Sequence, residues 1–206
     1  MLRLKYLVIL SVLVVWGFLF GCSPGLYGTK IELNSYSPAL KGDFSDYSGK
    51  KIYLMNFDNQ AGNTTIWYYY SSDKDFTYGG ASLIHNYFWY AFQKALLNLG
   101  MDVSIANSPD PRAPGMWMTL KSATEDQYTG EVSLQKHGKP FFIKIYSAAA
   151  DPLPEDQRTP GNLEKRAYDM TNRLIETILA DPEFKKAFLK ATAELAPGLA
   201  PGPQKL

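Results

Sequence analysis

The strongest periodicity in the chain predicts an amphipathic helix over residues 82–99. Apolar residues recur there at intervals of three and four, which places them on one helical face. They are Ile84, Tyr87, Phe88, Ala91, Phe92, Ala95, Leu96 and Leu99. The same spacing predicts a second helix from Asn162 to about Leu179. A short third helix is indicated after Asp181, because a capping residue followed by proline favours a helix start.

A run that is largely apolar on both faces predicts a central strand over residues 50–57. Alternating positions predict strands over residues 101–105, 116–124, 128–135 and 141–148. The last of these strands presents Phe141, Ile143 and Ile145 on one face. Residues 136–139 supply a turn with glycine between the last two strands, which is typical of a hairpin. The last three strands are therefore predicted to form an antiparallel meander with one solvent-exposed face.

Together these elements predict an α+β domain over residues 50–192. We expect a single mixed or antiparallel sheet of about five strands, with two main helices packed on one face and a short C-terminal helix. Residues 22–49 are rich in Ser, Gly, Pro and Tyr and are predicted to be a tether, within which residues 31–33 could form a short strand. Residues 71–80 are expected to be a polar loop, and residues 193–206 a disordered tail.

Residues 64–70 are the most unusual segment, a run of β-branched and aromatic residues that predicts one more strand. They contribute most of a candidate interaction surface, which consists of Trp67, Tyr68, Tyr69, Tyr70 and Trp117. Exposed aromatic side chains are typical of contact surfaces. The alternative is that both faces of the run are covered and the residues belong to the core, and the sequence leaves both interpretations open.

The first 21 residues have the features of an export signal. Arg3 and Lys5 precede an apolar stretch that ends at Phe20, and a small residue, Gly21, stands before Cys22. The stretch is shorter than the run of about 20 apolar residues that a membrane-spanning helix needs. Residues 1–21 are therefore predicted to be a signal peptide.

Leu19-Phe20-Gly21-Cys22 resembles the lipobox of bacterial lipoproteins. In that family the cysteine is acylated and the peptide is cut before it, so the resemblance implies a lipid anchor, including palmitate, at Cys22. Two or more acyl chains hold a protein stably on a membrane. The alternative is an uncleaved N-terminal membrane anchor in which the cysteine is incidental.

Composition narrows the classes of function. Of 206 residues, 21 are basic and 20 acidic. Residues 1–21 contain two of the basic residues and none of the acidic ones, so the remainder is almost neutral. A nucleic-acid-binding domain would be basic, and no nucleic-acid partner is predicted. Cys22 is the only cysteine, which excludes an intramolecular disulfide.

Catalytic and cofactor motifs are missing from the sequence. It contains no Walker loop, dinucleotide fingerprint, HExxH or CxxC. His85 has no Cys, Glu or second His at the spacing of metal ligands, and His137, the other histidine, falls at the tip of the predicted hairpin. Acidic pairs at residues 125–126 and 155–156 fall in predicted loops. We therefore predict that the protein is not an enzyme and that it has no cofactor and no metal site.

The order of elements over about residues 50–180 gives a second resemblance. The segments Lys-Lys-Ile-Tyr-Leu-Met-Asn-Phe (50–57), Ala-Leu-Leu-Asn-Leu-Gly-Met-Asp-Val (95–103) and Lys-His-Gly-Lys-Pro (136–140) carry it. The pattern is similar to the core of the curli-secretion channel lipoprotein, the TolB N-terminal domain, and auxiliary lipoproteins of ABC-type envelope transporters, including lipopolysaccharide-assembly lipoproteins.

These resemblances imply a cell-envelope lipoprotein without a catalytic constellation. Its expected role is that of an accessory or docking component of a transport or secretion assembly, with an envelope protein as partner. The alternative role is binding of a lipid or a glycan without a fixed protein partner. Ser23 after the cysteine favours the outer membrane, with the domain facing the periplasm.

Overall fold

The computed structural model describes residues 28–105 and 113–193. The described strands are β1 (Thr29–Glu32), β2 (Lys51–Leu54), β3 (Asp58–Asn59), β4 (Tyr68–Tyr70), β5 (Phe76–Gly79), β6 (Asp102–Ser104), β7 (Gly115–Ala123), β8 (Gln127–Lys136) and β9 (Lys139–Ala149). The α-helices are α1 (Ile84–Asn98), α2 (Pro160–Ala180) and α3 (Pro182–Ala193), with single 3-10 turns at Ser45–Tyr47 and Glu155–Gln157. The predicted signal peptide, Cys22 and the tail beyond residue 193 lie outside the described residues.

The strands form two sheets, so the predicted single sheet of about five strands is wrong. The larger sheet has six strands, in the order β6-β2-β7-β8-β9, with β3 also paired to β7. Its β6-β2-β7 part is parallel, and β7-β8-β9 is the antiparallel meander predicted from the sequence. The smaller sheet has the order β1-β5-β4.

The smaller sheet was missed because its strands are short and their partners are distant in sequence. β5 lies in the segment predicted to be a polar loop, yet Thr77 and Tyr78 are buried. It pairs in parallel with β1, which lies 47 residues earlier in the register Thr29 to Phe76. Neither strand is long enough to show a reliable alternation, and only the pairing makes them strands.

The segment predicted to be a tether packs against the domain from β1 onward. Three of its aromatic residues, Tyr36, Phe44 and Tyr47, are buried. The Tyr36 hydroxyl donates to the Asn172 side-chain oxygen at 2.7 Å, and the Tyr47 hydroxyl donates to the Leu179 carbonyl at 2.7 Å. The described part of the segment, residues 28–49, is therefore an integral part of the domain surface and wraps α2.

Removing one of these hydroxyl groups should measure how firmly the segment is held. Tyr47→Phe is expected to lower the free energy of unfolding by about 1 kcal/mol, because the buried Leu179 carbonyl loses its hydrogen bond. Tyr90→Phe, which changes a half-exposed ring, is the matched control and should be neutral. Urea unfolding gives both values. Equal effects of the two substitutions would mean that the segment is only loosely attached.

Gly28 marks the point where the chain joins the domain. Its φ is +69°, and a Cβ atom there would lie 1.8 Å from the Asp75 carbonyl oxygen. Only glycine can combine this left-handed backbone with so close an approach. The contact fixes the start of β1 against the loop that precedes β5, where Thr29 N–H donates to the Asp75 carbonyl at 2.7 Å.

The three helices cover the inner face of the large sheet and join it to the small one. Tyr128 on β8 is at the centre of this core, with its ring edge-on to Phe88 of α1 and to Tyr69 of β4. Tyr69 in turn stacks on Tyr78 with ring centroids 4.7 Å apart. The hydroxyls of Tyr69 and Tyr128 bond to each other, and burial raises the pKa of both.

Candidate functional site

The outer face of β9 carries the largest row of exposed apolar side chains along a single described strand. Ile143 and Ile145 point to this face and are 59% and 58% exposed, and Phe141, which is 43% exposed, is the unpaired residue of a β-bulge next to them. Residues i and i+2 of a strand share one face, and the bulge sets Phe141 beside the two isoleucines on the hairpin side, so the three side chains are neighbours along β9. We call them the β9 stripe.

The β9 stripe is exposed because the pairing of β9 with β8 fixes which of its side chains point inward. Leu134 and Gly130 of β8 are buried on the inner face, and they pair with Phe142 and Tyr146 of β9. Those two residues therefore point inward, where Phe142 packs edge-on against Phe184 of α3. A one-residue slip would bury the stripe but would turn every inner side chain of β9 outward. The more apolar face of this edge strand is consequently exposed.

A groove continues from the stripe across the sheet. Ile143 pairs with Ser133, which pairs with Trp117, so the three side chains form one row over β9, β8 and β7. The groove has a volume of about 390 Å³ and is lined by these residues together with Pro140, Gln135, Thr119, Glu131, Asp58 and Gln60. The Trp117 indole N–H is buried and has no acceptor among the described residues. It is therefore an unsatisfied donor beneath the floor of the groove.

The structure divides the aromatic surface predicted from the sequence. Tyr69 is fully buried in the core, and Tyr68 and Tyr70 are partly buried with their rings edge-on to each other at 5.4 Å. Trp67 is 48% exposed and precedes β4, beside the exposed Ile66. Trp117 belongs to the other sheet, in the groove beside the β9 stripe. The predicted residues therefore do not form a single surface.

The two ends of the large sheet differ in chemistry. One end has the β7–β8 turn, where Arg158 bonds Glu125 at 2.9 Å and Asp73 at 2.6 Å. Asp73 lies in the same loop as Asp75, the neighbour of Gly28, so the chain joins the domain at this end. The hydrogen bond from Arg158 holds the pKa of Asp73 well below its ordinary value.

The opposite end has the β8–β9 hairpin. His137 and Gly138 both have positive φ, 52° and 73°, as the two central residues of a type I′ turn require. The hairpin was predicted from the sequence and is confirmed. Ten residues of β8 separate the two ends, which corresponds to about 33 Å.

The residues considered for catalysis are dispersed. His85 is partly buried on α1 with its Nδ1 unpartnered among the described residues, and His137 is exposed on the hairpin. Glu125 and Asp126 bond Arg158 and Arg166, which makes both of them structural. Across residues 28–105 and 113–193 no three His, Cys, Asp or Glu side chains converge as metal ligands. None of the helices in these ranges has the length and apolarity needed to cross a bilayer.

Comparisons with known proteins give a fold and no family. No family model matches the chain, and no curated protein matches it. Among solved structures, it is similar to protein XCC0632 from Xanthomonas campestris, of family DUF330. The TM-score is 0.53 and the identity 7%, over 81% of this chain and 98% of that one. The chain therefore shares its fold with a bacterial DUF330 protein.

Proposed function

We propose that this protein is a lipid-anchored accessory component of a bacterial cell envelope, held on the membrane through Cys22. Its domain docks on a protein of an envelope transport or secretion assembly through the β9 stripe and the adjoining groove. The lipobox-like residues 19–22 support the anchor. The fold shared with a bacterial protein supports the proposal of a bacterial protein.

The observation that carries the docking role is the exposure of the β9 stripe. Burial of a fully exposed Ile or Phe side chain contributes about 1.5–3 kcal/mol, so burial of these three half-exposed side chains would contribute about 2–4 kcal/mol to a complex. The surrounding groove adds polar side chains, as in the polar rim of an interface. The exposed residues beside β4, Ile66 and Trp67, form a smaller apolar area.

The short link to the anchor determines which end of the domain lies near the membrane and how far from it the docking surface stands. Residues 23–27 are all that separate Cys22 from Gly28, and they span at most about 20 Å. The end of the sheet with Gly28 therefore stays near the membrane. The β9 stripe extends from the middle of β9 toward the hairpin, about 33 Å away at the far end. An upright domain presents the stripe to a partner above the bilayer.

Cys22→Ser tests the anchor. In a bacterium fed an alkyne analogue of palmitate, the wild-type chain is expected to be labelled and to lack residues 1–21, because acylation precedes cleavage in lipoproteins. The Cys22→Ser chain should be neither labelled nor cut. Gel shift, click-labelling and mass spectrometry of the N-terminus give the result. An unlabelled wild-type chain that keeps Met1 would instead establish a simple membrane anchor.

Docking is tested in the same cells with a photoreactive amino acid in place of Ser147, which lies on the outer face of β9 beyond the stripe. Illumination is expected to give one discrete adduct with an envelope protein. If illumination gives no adduct, or gives adducts with many proteins in proportion to their abundance, the docking role is wrong while the anchor can still stand.

A further inference from the structure

We propose that the hairpin end of the domain contains a binding site for a single anionic amphiphile, with an apolar chain and a carboxylate or phosphate head group. The site is a cavity of about 410 Å³ between the β8–β9 hairpin and α3. Its lining consists of Lys136, Lys139, Pro140, Phe141, Ala187, Lys190 and Ala191. This site does not depend on the proposed docking role, and only its preference for a free amphiphile rests on the proposed anchor.

The lining separates charge from apolar surface. Phe141, Pro140 and the two alanines form the apolar part, and three lysines stand around it. None of the described lining residues is acidic. Lys139 and Lys190 make no ion pair with the described acidic side chains, in contrast with Lys144, which bonds Glu183 at 2.7 Å. An anionic head group is the complement of Lys139 and Lys190, because these two like charges at one site repel each other.

The walls of the cavity are fixed in place. The Lys136 ammonium donates to the Ala191 carbonyl at 3.4 Å, which ties the hairpin to the last turn of α3. At the other end of the helix, Asp181 accepts from the Tyr146 hydroxyl at 2.5 Å. The volume falls within the usual range of small-molecule sites, about 300–1,000 Å³. It therefore fits one short acyl chain with its head group.

The position of the cavity favours a free, monomeric amphiphile as the ligand, rather than the lipids at the surface of the anchoring bilayer. The cavity lies at the hairpin end, about 33 Å from the β7–β8 turn, beside which the chain joins the domain. Phe141 is shared between the cavity and the β9 stripe. A bound chain can thus extend onto an apolar surface that is already present.

The test is isothermal titration of residues 22–206 carrying Cys22→Ser, which keep every described residue. Dodecanoate, below its micellar concentration, is expected to bind at one site per chain. Lys139→Gln/Lys190→Gln should weaken binding about tenfold, because two solvent-exposed charge contacts are lost. Lys41→Gln/Lys165→Gln, with the same change of net charge at distant exposed positions, should leave it unchanged. Dodecyl maltoside and acetate should bind at least tenfold more weakly, since each lacks one half of the ligand.

Three results would overturn the proposal. Equal weakening by both lysine pairs would show a response to net charge alone. Equal affinity for dodecyl maltoside would show a purely apolar groove. Sedimentation with vesicles of phosphatidylglycerol, together with no binding of free dodecanoate, would assign the lysines to a membrane surface. Circular dichroism of each variant confirms that the fold is retained.

Discussion

Arg158→Ala is expected to lower the free energy of unfolding by about 2–3 kcal/mol. The guanidinium bonds Glu125, which is only 7% exposed, and its removal leaves that carboxylate buried without its cationic partner. The loss of a fully buried partner costs about 3–5 kcal/mol, and Arg158 itself is partly exposed, which reduces the figure. Its position over the Phe76 ring, at 5.0 Å, adds a cation–π contribution to the loss.

The effect should depend on pH through Asp73. Because Arg158 lowers the pKa of Asp73 in the folded state, this pair stabilises the protein fully above the unfolded pKa, about 3.9. The contribution is lost as the pH falls below that value and Asp73 becomes protonated. The difference in the free energy of unfolding between wild type and Arg158→Ala should therefore become smaller as the pH is lowered below about 4. Urea unfolding at several pH values measures it.

Two further variants separate the buried charge from the rest of the network. Glu125→Gln added to Arg158→Ala should recover part of the lost stability, because an amide is less costly to bury than an unpaired carboxylate. Arg173→Ala is the matched control, since this exposed arginine bonds the Ala149 carbonyl, at 3.1 Å, and no carboxylate among the described residues. A full-sized loss in the control, or no recovery in the double variant, would contradict the assigned role of Glu125.

How far the sequence predicted the fold depended on the range of the contacts. The helix over 82–99 and the meander after residue 115 were found because their periodicity is local and long. The structure has them at Ile84–Asn98 and Gly115–Ala149. β3 has only two residues and exists through its pairing with β7. β1 and β5 likewise depend on a parallel partner far along the chain, which no local pattern encodes.

The candidate surface was missed for a related reason. The sequence predicted that Phe141, Ile143 and Ile145 share a face, which the structure confirms for the two isoleucines, whereas Phe141 lies in a bulge. Burial would ordinarily be expected of the more apolar face. The inner positions of β8, together with the packing of Phe142 on α3, decided otherwise. Conversely, Tyr69, for which the sequence left a surface and a core position open, is at the centre of the core. Departures from the local rule of this kind are expected where a protein has a function to serve.

Ile143→Thr/Ile145→Thr is expected to weaken docking about 10- to 50-fold without unfolding the domain. Both side chains are more than half exposed, and threonine keeps the β-branched shape that suits a strand. Each substitution removes about 1 kcal/mol of apolar burial from the complex, and the two adjacent losses combine. The yield of the adduct formed from position 147 in cells is the measurement, and unfolding in urea should stay within about 1 kcal/mol of wild type.

The matched control tests the aromatic surface predicted from the sequence. Ile66→Thr/Trp67→Thr removes two comparably exposed apolar side chains beside β4. If the β9 stripe is the docking surface, this variant keeps the adduct, because β4 belongs to the other sheet. If instead the β4 variant loses the adduct and the β9 variant keeps it, the docking surface lies on the small sheet. In that case the exposed stripe would have to be explained by the amphiphile site alone, since Phe141 belongs to both.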